Sequence, residues 1–324
     1  MNVLYIGKYP PIEGGTASAA YWRVEALEKQ GISFQVVTCI TDDNDYRIDN
    51  TPYSETVHVL RKKMPWHIPY SQLYAEQLIA KALDIAATVD FDIIEGCYLF
   101  PYGFAAYVVA EVLSKPFFLR HAGSDLYRLT GSGSLDPLMR KMAKKAALIV
   151  TYPDCMARWH SLGITSKLYL SSRYIPNPAY FTSNGYHRDA TFLGKITPKW
   201  DRAQFDYYNQ YLKNAGYEGH IHVYADLTTV DHFTAYFQDK GYKIIGHPFV
   251  MPERVPSILR NTKYLLLSSI PEGIPEESNL FLEGMMSRCT PVCIQKLPVS
   301  PQHTDYQGYL QSQLNIYNAV YMAR

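Results

Sequence analysis

Short apolar runs rich in β-branched residues alternate with helix-length amphipathic stretches along this sequence, and that alternation restricts the fold more than any other feature. Stretches of helical length, such as 17–30 and 71–89, separate the runs. The runs in the first half begin at Val3, Phe34, Val57, Asp92, Phe117 and Leu148. This pattern predicts a mostly parallel β-sheet with helices on both faces.

The alternation stops near Ser171 and resumes at Ala190. The interval contains Ile175-Pro176-Asn177-Pro178, which is typical of a turn or a linker. A chain of 324 residues is long enough for two domains. We therefore predict two Rossmann-like α/β domains that face each other across a cleft, with the second domain shortened. The predicted limits are 1–175 for the first domain, 176–189 for the linker, 190–304 for the second domain and 305–324 for a terminal helix that packs back on the first domain.

Charge and cysteine content exclude several classes of protein. Lys and Arg total 31 against 30 Asp and Glu, so we expect no general attraction to nucleic acid or to an anionic membrane surface. No apolar run is long enough to span a bilayer. Local basic clusters occur at 61–63 and 140–145. The first precedes Met64-Pro65-Trp66, where a solvated loop is favoured over peripheral contact with a membrane. Five scattered cysteines predict reduced thiols, no metal site and a cytoplasmic location, with the inner face of the membrane as an alternative.

The first candidate site is the loop that follows the first predicted strand. Gly14 and Gly15 stand directly before a predicted helix. A helix N-terminus offers backbone N–H groups and partial positive charge to a phosphate, and glycine allows a ligand to approach the backbone closely. An ordinary strand-to-helix turn is the alternative.

The second candidate site is Arg120-His121-Ala122-Gly123-Ser124-Asp125, directly after the strand that begins at Phe117. A histidine at the carboxyl end of a strand can donate to a developing oxyanion or orient an acceptor hydroxyl. The alternative is a turn before a helix, with Ser124 or Asp125 as the capping residue.

The third candidate site contains Lys195 and Lys199, which follow the first strand of the second half. Two lysines there can neutralise a diphosphate leaving group. The alternative is a pair of solvated lysines. Since a helix start is an unfavourable place for cations, the functional interpretation is slightly favoured.

The fourth candidate site runs from Pro271 to Met286 and contains Glu272, Glu276 and Glu283. Carboxylates at a helix start can simply complement the helix dipole. Glu283 stands further into the predicted helix among apolar neighbours, where a carboxylate can accept hydrogen bonds from ribose or sugar hydroxyls.

Together these segments resemble the retaining GT-B glycosyltransferases of family 4, the glycosyl transferases group 1. The resemblance covers nearly the whole chain. It rests on Tyr9-Pro10-Pro11 with Gly14-Gly15, on Leu99-Phe100-Pro101-Tyr102-Gly103 with the 120–126 segment, on Ile175-Pro176-Asn177-Pro178, on Phe192-Leu193-Gly194-Lys195 with Lys199, and on the paired glutamates followed by Thr290-Pro291-Val292. The chain departs from the family in having Pro178 where glycine is usual and Lys195 where arginine is usual. Glu272 and Glu283 also stand further apart than usual, so Glu276 competes with Glu272 for the position that faces the donor sugar.

The resemblance implies a role for each matching residue. His121 and Glu272 are expected to be catalytic, with His121 at the acceptor and reacting-sugar side and Glu272 on the donor sugar. Lys195 and Lys199 are expected to hold the donor diphosphate and Glu283 the ribose, with Gly14, Gly15 and Glu276 also in the donor site. Arg120, Ser124 and Asp125 are expected on the acceptor side.

The implied reaction moves a sugar from a UDP- or GDP-sugar to a glycan or lipid-linked acceptor, with retention of anomeric configuration and without a metal or other cofactor. The alternative is a non-catalytic GT-B-like protein that binds a nucleotide or glycan, or that partners an active glycosyltransferase. The wide glutamate spacing and the short segment after Val292 support this alternative. A nicotinamide dehydrogenase is disfavoured because the first loop lacks the Gly-x-Gly-x-x-Gly pattern.

Overall fold

The computed structural model describes residues 1–12, 14–40, 54–61, 71–131, 133–182, 187–194, 202–268, 279–294 and 305–323. Within these residues the strands form two sheets, and every described pairing is parallel. The strands of the first sheet are β1 (Asn2–Gly7), β2 (Ser33–Ile40), β3 (Val57–Arg61), β4 (Ile93–Cys97), β5 (Phe117–Arg120), β6 (Leu148–Thr151) and β7 (Leu168–Leu170). Those of the second sheet are β8 (Asp189–Leu193), β9 (His220–Tyr224), β10 (Lys243–His247), β11 (Thr262–Leu266) and β12 (Thr290–Val292).

Helices connect the strands and cover both sheets. In the described residues the helices of the first half are α1 (Gly15–Glu28), α2 (Ser71–Ala86), α3 (Phe104–Leu113), α4 (Ser124–Leu129), α5 (Asp136–Lys145) and α6 (Met156–Ser161). They are followed by α7 (Pro178–Phe181), α8 (Arg202–Asn214), α9 (Leu227–Phe237), α10 (Val255–Leu259), α11 (Asn279–Met286) and α12 (Tyr306–Met322). None of them has the length and apolar composition that crossing a bilayer requires.

The strand order places a crevice in each domain. The first sheet has the order β3-β2-β1-β4-β5-β6-β7, and the second has the order β10-β9-β8-β11-β12. In both, the direction of winding reverses beside the first strand, between β1 and β4 and between β8 and β11. Ligands of open α/β sheets bind outside the carboxyl ends of the strands at such a reversal. The loops after β1 and β8 are therefore the expected walls of a binding site.

The first strand shows why the sequence forms buried parallel sheets. Its side chains from Val3 to Ile6 are fully buried. Leu4 and Ile6 pack with α2 and α3 on one face, while Val3 and Tyr5 pack with α1 on the other. A strand covered on both faces needs a continuous apolar run, which is what the sequence supplies.

Helix α12 follows the second sheet in the sequence but packs on the first. Its buried side chains Ile316, Tyr317 and Val320 join the apolar cluster on the α1 face of that sheet. The Tyr317 ring meets Phe34 and Phe118 edge to face. The contact ties the end of the described chain to the first domain.

A separate apolar cluster joins the two halves beside the cleft. Trp22 of α1 packs against Phe181 at a ring distance of 5.5 Å. The same cluster includes Leu265 of β11 and Leu282 of α11. Buried side chains of α1 and of the second sheet therefore belong to one apolar cluster.

Candidate functional site

The cleft lies between the two sheets, at the carboxyl ends of β1 and β8. Its cavity volume is about 160 Å³. The first domain contributes Pro10, Pro11, Ile12, Gly14, Gly15 and Ser18, and the second contributes Leu193, Gly194, Tyr224, Phe249, Val250, Met251, Pro252, Val255, Asn279, Leu280 and Glu283. A ligand bound here would contact both domains.

The glycine loop forms the first-domain wall of the cleft. Gly14 has φ 110°, a backbone conformation that side chains with a Cβ rarely adopt. Its carbonyl accepts from the N–H groups of Ala17 and Ser18, and no side chain caps the helix that follows. The N-terminus of α1 therefore borders the cleft without a side-chain cap, which suits an anionic group.

The two domains touch directly at the next glycine. Asn279 Nδ2, at the start of α11, donates a hydrogen bond of 2.6 Å to the carbonyl of Gly15. A Cβ added to Gly15 would lie 3.1 Å from the same Nδ2. Glycine at this position therefore permits the contact that brings the two walls together.

Glu283 is the buried carboxyl group of the cleft. It lies on α11, is only 3% exposed, and its Oε1 atom has no hydrogen-bond partner among the described residues. Burial raises the pKa of Glu283 to about 8, although the nearby Tyr174 hydroxyl opposes this rise. An unpartnered buried carboxyl oxygen is costly unless a donor meets it. Ligand hydroxyl groups in the cleft would supply such donors.

His121 is enclosed within the first domain. The Gly123 N–H donates to its Nδ1 over 3.1 Å, and its Nε2 lies 2.9 Å from Thr151 Oγ1 and 3.2 Å from Trp159 Nε1. Burial, helped by neighbouring arginines, lowers the pKa of His121 to about 3. The described residues that line the cleft do not include His121. Its catalytic role stays a prediction.

Arg120 belongs to a buried cluster of charges on the α12 side of the first sheet. Its Nε donates to Glu95 Oε1 over 2.9 Å, and Arg23 Nη2 donates to the same oxygen over 2.8 Å. The Tyr317 hydroxyl bonds the other carboxylate oxygen. All four side chains are buried. In this structure Arg120 is engaged in the core, and an acceptor-side role for it stays a prediction.

Asp125 and Ser124 lie at the turn that follows β5. Asp125 accepts 2.8 Å hydrogen bonds from the N–H groups of Leu99 and Ala122. Gly123 precedes α4, whose first residue is the buried Ser124. These contacts connect two loops at the carboxyl edge of the sheet, so Asp125 organises that edge whether or not an acceptor binds there.

Four of the expected site residues, Lys195, Lys199, Glu272 and Glu276, lie outside the described residues. Their roles stay predictions. Gly194, the residue before Lys195, lines the cleft. In the described part of the chain, no group of three or more His, Cys, Asp or Glu side chains is arranged to hold a metal ion.

The structure also brings residues to the cleft that sequence reasoning did not single out. Asn279 stands inside the glutamate-rich segment, and Tyr224 ends β9. The rule that ligands meet the carboxyl ends of strands would have found Tyr224. No sequence signal identifies Asn279, because its partner lies in the other domain.

Comparisons with known proteins agree with this geometry. Residues 17–152 match the family described as glycosyl transferase 4-like. Among solved structures, Anabaena HepE in complex with UDP and glucose superposes with a TM-score of 0.58 at 9% identity, covering 98% of this chain and 91% of that chain. The UDP-GlcNAc 2-epimerase from Methanocaldococcus jannaschii gives 0.56 at 13% identity, covering 97% and 92%.

An alpha-glucosyltransferase in complex with UDP and a 13-mer DNA gives a TM-score of 0.55 at 13% identity, covering 99% of this chain and 94% of that chain. A search of curated proteins finds no match. The chain has the GT-B fold, with two parallel α/β domains. Residues 17–152 are therefore similar to the glycosyl transferase 4-like family, and the chain shares its fold with these solved structures.

Proposed function

We propose that the protein transfers a sugar from a nucleoside diphosphate sugar, bound in the cleft, to a glycan or lipid-linked acceptor. The observation that carries this proposal is Glu283, a buried carboxyl group that lines the cleft with one oxygen unpartnered. A pair of vicinal hydroxyls, as on ribose, supplies the donors that such an oxygen requires. We assign Glu283 to the ribose of the donor.

The polar groups of the cleft suit the rest of the donor. The first turn of α1, entered through Gly14 and Gly15, favours the negative charge of a diphosphate. Lys195 and Lys199 are proposed to add positive charge there. HepE and the alpha-glucosyltransferase were both solved with UDP, which supports a UDP-sugar as the first donor to test.

The proposed chemistry requires stabilisation of the leaving diphosphate and exclusion of water. Backbone N–H groups and lysines can stabilise the leaving group without a metal ion. The contact between Gly15 and Asn279 holds the two walls together over the donor and limits access of water. We propose that the reaction retains the anomeric configuration, with the acceptor attacking the face of the sugar from which the diphosphate leaves. We also propose catalytic roles for His121 and Glu272.

The surface of the first domain supports an acceptor at an anionic membrane. Helix α5 is amphipathic, with Met139 and Met142 in the core. Its opposite side lines a surface groove with four basic side chains: Arg140, Lys141, Lys144 and Lys145. A basic helix of this kind is attracted to anionic lipids. We propose a cytoplasmic location at the inner face of the membrane, which also fits the absence of disulfides among the described cysteines.

The membrane proposal is tested by sedimentation with vesicles. We expect the wild-type protein to sediment with vesicles that contain phosphatidylglycerol and to remain in solution with pure phosphatidylcholine. Replacing Lys141 and Lys144 by Glu reverses two charges and is expected to abolish the sedimentation. Equal sedimentation of the variant and the wild-type protein would contradict the proposal.

The donor site is tested by calorimetric titration with UDP, GDP and ADP. We expect one nucleotide to bind, and Glu283→Ala to weaken its binding at least tenfold, since the substitution removes a buried acceptor. Glu218→Ala removes an exposed carboxylate of the same domain and is the matched control. Unchanged affinity in Glu283→Ala would remove Glu283 from the ribose site. A nucleotide sugar that binds without turnover would favour the non-catalytic alternative.

A further inference from the structure

The second-domain end of the cleft carries a row of stacked rings. Tyr224 and His247 stand opposite each other on β9 and β10, and their rings are parallel within 11° with centroids 4.3 Å apart. His222, two residues before Tyr224, continues the stack, with its centroid 5.1 Å from that of His247. Alternate residues of a strand share a face, which explains why the three rings stand side by side.

Hydrogen bonds hold the row in place. His222 Nδ1 lies 2.9 Å from His247 Nε2, so one ring donates to the other. His222 Nε2 lies 3.9 Å from Asp189 Oδ2 on β8. The two imidazoles are therefore joined to each other, and the Tyr224 ring stacks on His247.

The Tyr224 ring has one face on His247 and its other side toward β8. Its partner on β8 is Leu193, which also lines the cleft. The next residue, Gly194, adds no side chain at this point. Tyr224 itself lines the cleft together with Phe249 and Val250. The Tyr224 ring is therefore an aromatic part of the cleft lining.

The lining of the cleft offers three kinds of contact. Tyr224 is an aromatic ring with the apolar residues Phe249 and Val250 beside it in the lining, Glu283 is a buried carboxyl group, and Gly14 and Gly15 stand at the N-terminus of α1. A nucleoside diphosphate has a partner for each of them: a planar base, ribose hydroxyls and an anionic diphosphate.

We propose that Tyr224 is the platform on which the donor's nucleobase stacks. His247 and His222 are positioning residues that hold the Tyr224 ring in its orientation. This inference rests on the proposed donor site and adds the residue that binds the base. Stacking on an aromatic face tolerates any base, so the platform supplies affinity, and the choice between UDP and GDP falls to hydrogen bonds elsewhere in the site.

The test compares ligands with and without a base. Calorimetry measures the dissociation constants of the nucleoside diphosphate that the wild-type protein binds, and of inorganic pyrophosphate, for wild-type protein, Tyr224→Ala and Tyr224→Phe. We expect Tyr224→Ala to weaken nucleotide binding about tenfold or more, since one base stacked on an aromatic ring contributes on the order of 1–3 kcal/mol. Pyrophosphate affinity stays unchanged, and Tyr224→Phe, which keeps the ring, retains nucleotide affinity.

The positioning role has its own variants. His247→Ala removes the ring behind Tyr224 and is expected to weaken nucleotide binding while leaving pyrophosphate binding unchanged. His247→Phe restores a stacked ring and is expected to recover most of the affinity. If both His247 variants bind nucleotide as the wild type does, His247 does not position the platform.

The remaining outcomes separate the two proposals. Equal nucleotide affinity of Tyr224→Ala and wild type would overturn the platform while leaving the donor site intact. Equal losses for nucleotide and pyrophosphate would also overturn it, because they indicate a general disturbance of the domain. A wild-type protein that binds none of UDP, GDP and ADP would refute the proposed function, and the platform with it.

Discussion

Replacing Glu283 by Gln should change how the stability of the protein depends on pH. The substitution keeps the shape of the side chain and removes its ionisable proton. Burial raises the pKa of this carboxyl from an ordinary value of 4.5 to about 8 in the folded protein. Between those values the folded state binds the proton and the unfolded state does not. Stability is therefore fully present below the unfolded pKa and is lost as the pH rises toward the folded pKa.

The magnitude follows from the difference between the two pKa values. Each unit corresponds to about 1.4 kcal/mol, so the complete loss is roughly 5 kcal/mol, an upper limit because the cleft admits some water. Between about pH 5 and pH 7 the wild-type protein should lose about 3 kcal/mol of unfolding free energy relative to Glu283→Gln. A carboxylate with an ordinary pKa would lose almost nothing over that range.

The assay is urea unfolding followed by tryptophan fluorescence at a series of pH values. Trp22 reports on the same apolar cluster that contains Leu282, the neighbour of Glu283. Glu218→Gln, at an exposed position, serves as the control and should parallel the wild type. Parallel curves for Glu283→Gln and wild type would show instead that the carboxyl has an ordinary pKa in the folded protein.

Three further predictions concern the cleft and the core. Donor nucleotide should bind more tightly as the pH rises toward 8, because ribose hydroxyls prefer the ionised Glu283. Binding should then release a proton, so the calorimetric enthalpy should depend on the buffer. An affinity that does not change with pH would argue against the ribose contact. Gly15→Val should lower kcat more than it weakens nucleotide affinity, because the new side chain meets the Asn279 amide and hinders closure of the two domains. Equal losses of kcat and nucleotide affinity would place the loop in the primary binding site. Glu95→Ala should lower the free energy of unfolding in urea by about 3–5 kcal/mol, since it leaves Arg23 and Arg120 buried without their counterion. A loss under about 1 kcal/mol would show that the cluster is hydrated.

The fold was largely predictable from the sequence because buried parallel strands produce a strong local signal. β1 and β6 each form a run of buried apolar residues, and both were expected. β7 was not, because its three residues lie at the edge of the sheet and are half-buried or exposed. A short edge strand lacks the apolar run that identifies a central one.

The site was predictable only where position along the chain determines it. Gly14, Gly15 and Glu283 line the cleft, as a loop after β1 and a helix after β11 imply. The sequence also places His121 at the carboxyl end of β5, but it does not indicate that the ring turns inward to Thr151. The contact between Gly15 and Asn279 depends on how the two domains meet, which no local pattern encodes.

Sugar transfer requires the cleft to break the bond between the sugar and the diphosphate of a bound donor. Phosphorus NMR of the purified protein with the nucleotide sugar that it binds, and with oligosaccharide and lipid-linked acceptors in turn, measures this directly. We predict acceptor-dependent release of free nucleoside diphosphate by the wild-type protein, and much slower release by Gly15→Val. A donor that binds in the cleft but yields no nucleoside diphosphate with any of these acceptors would contradict sugar transfer by this protein.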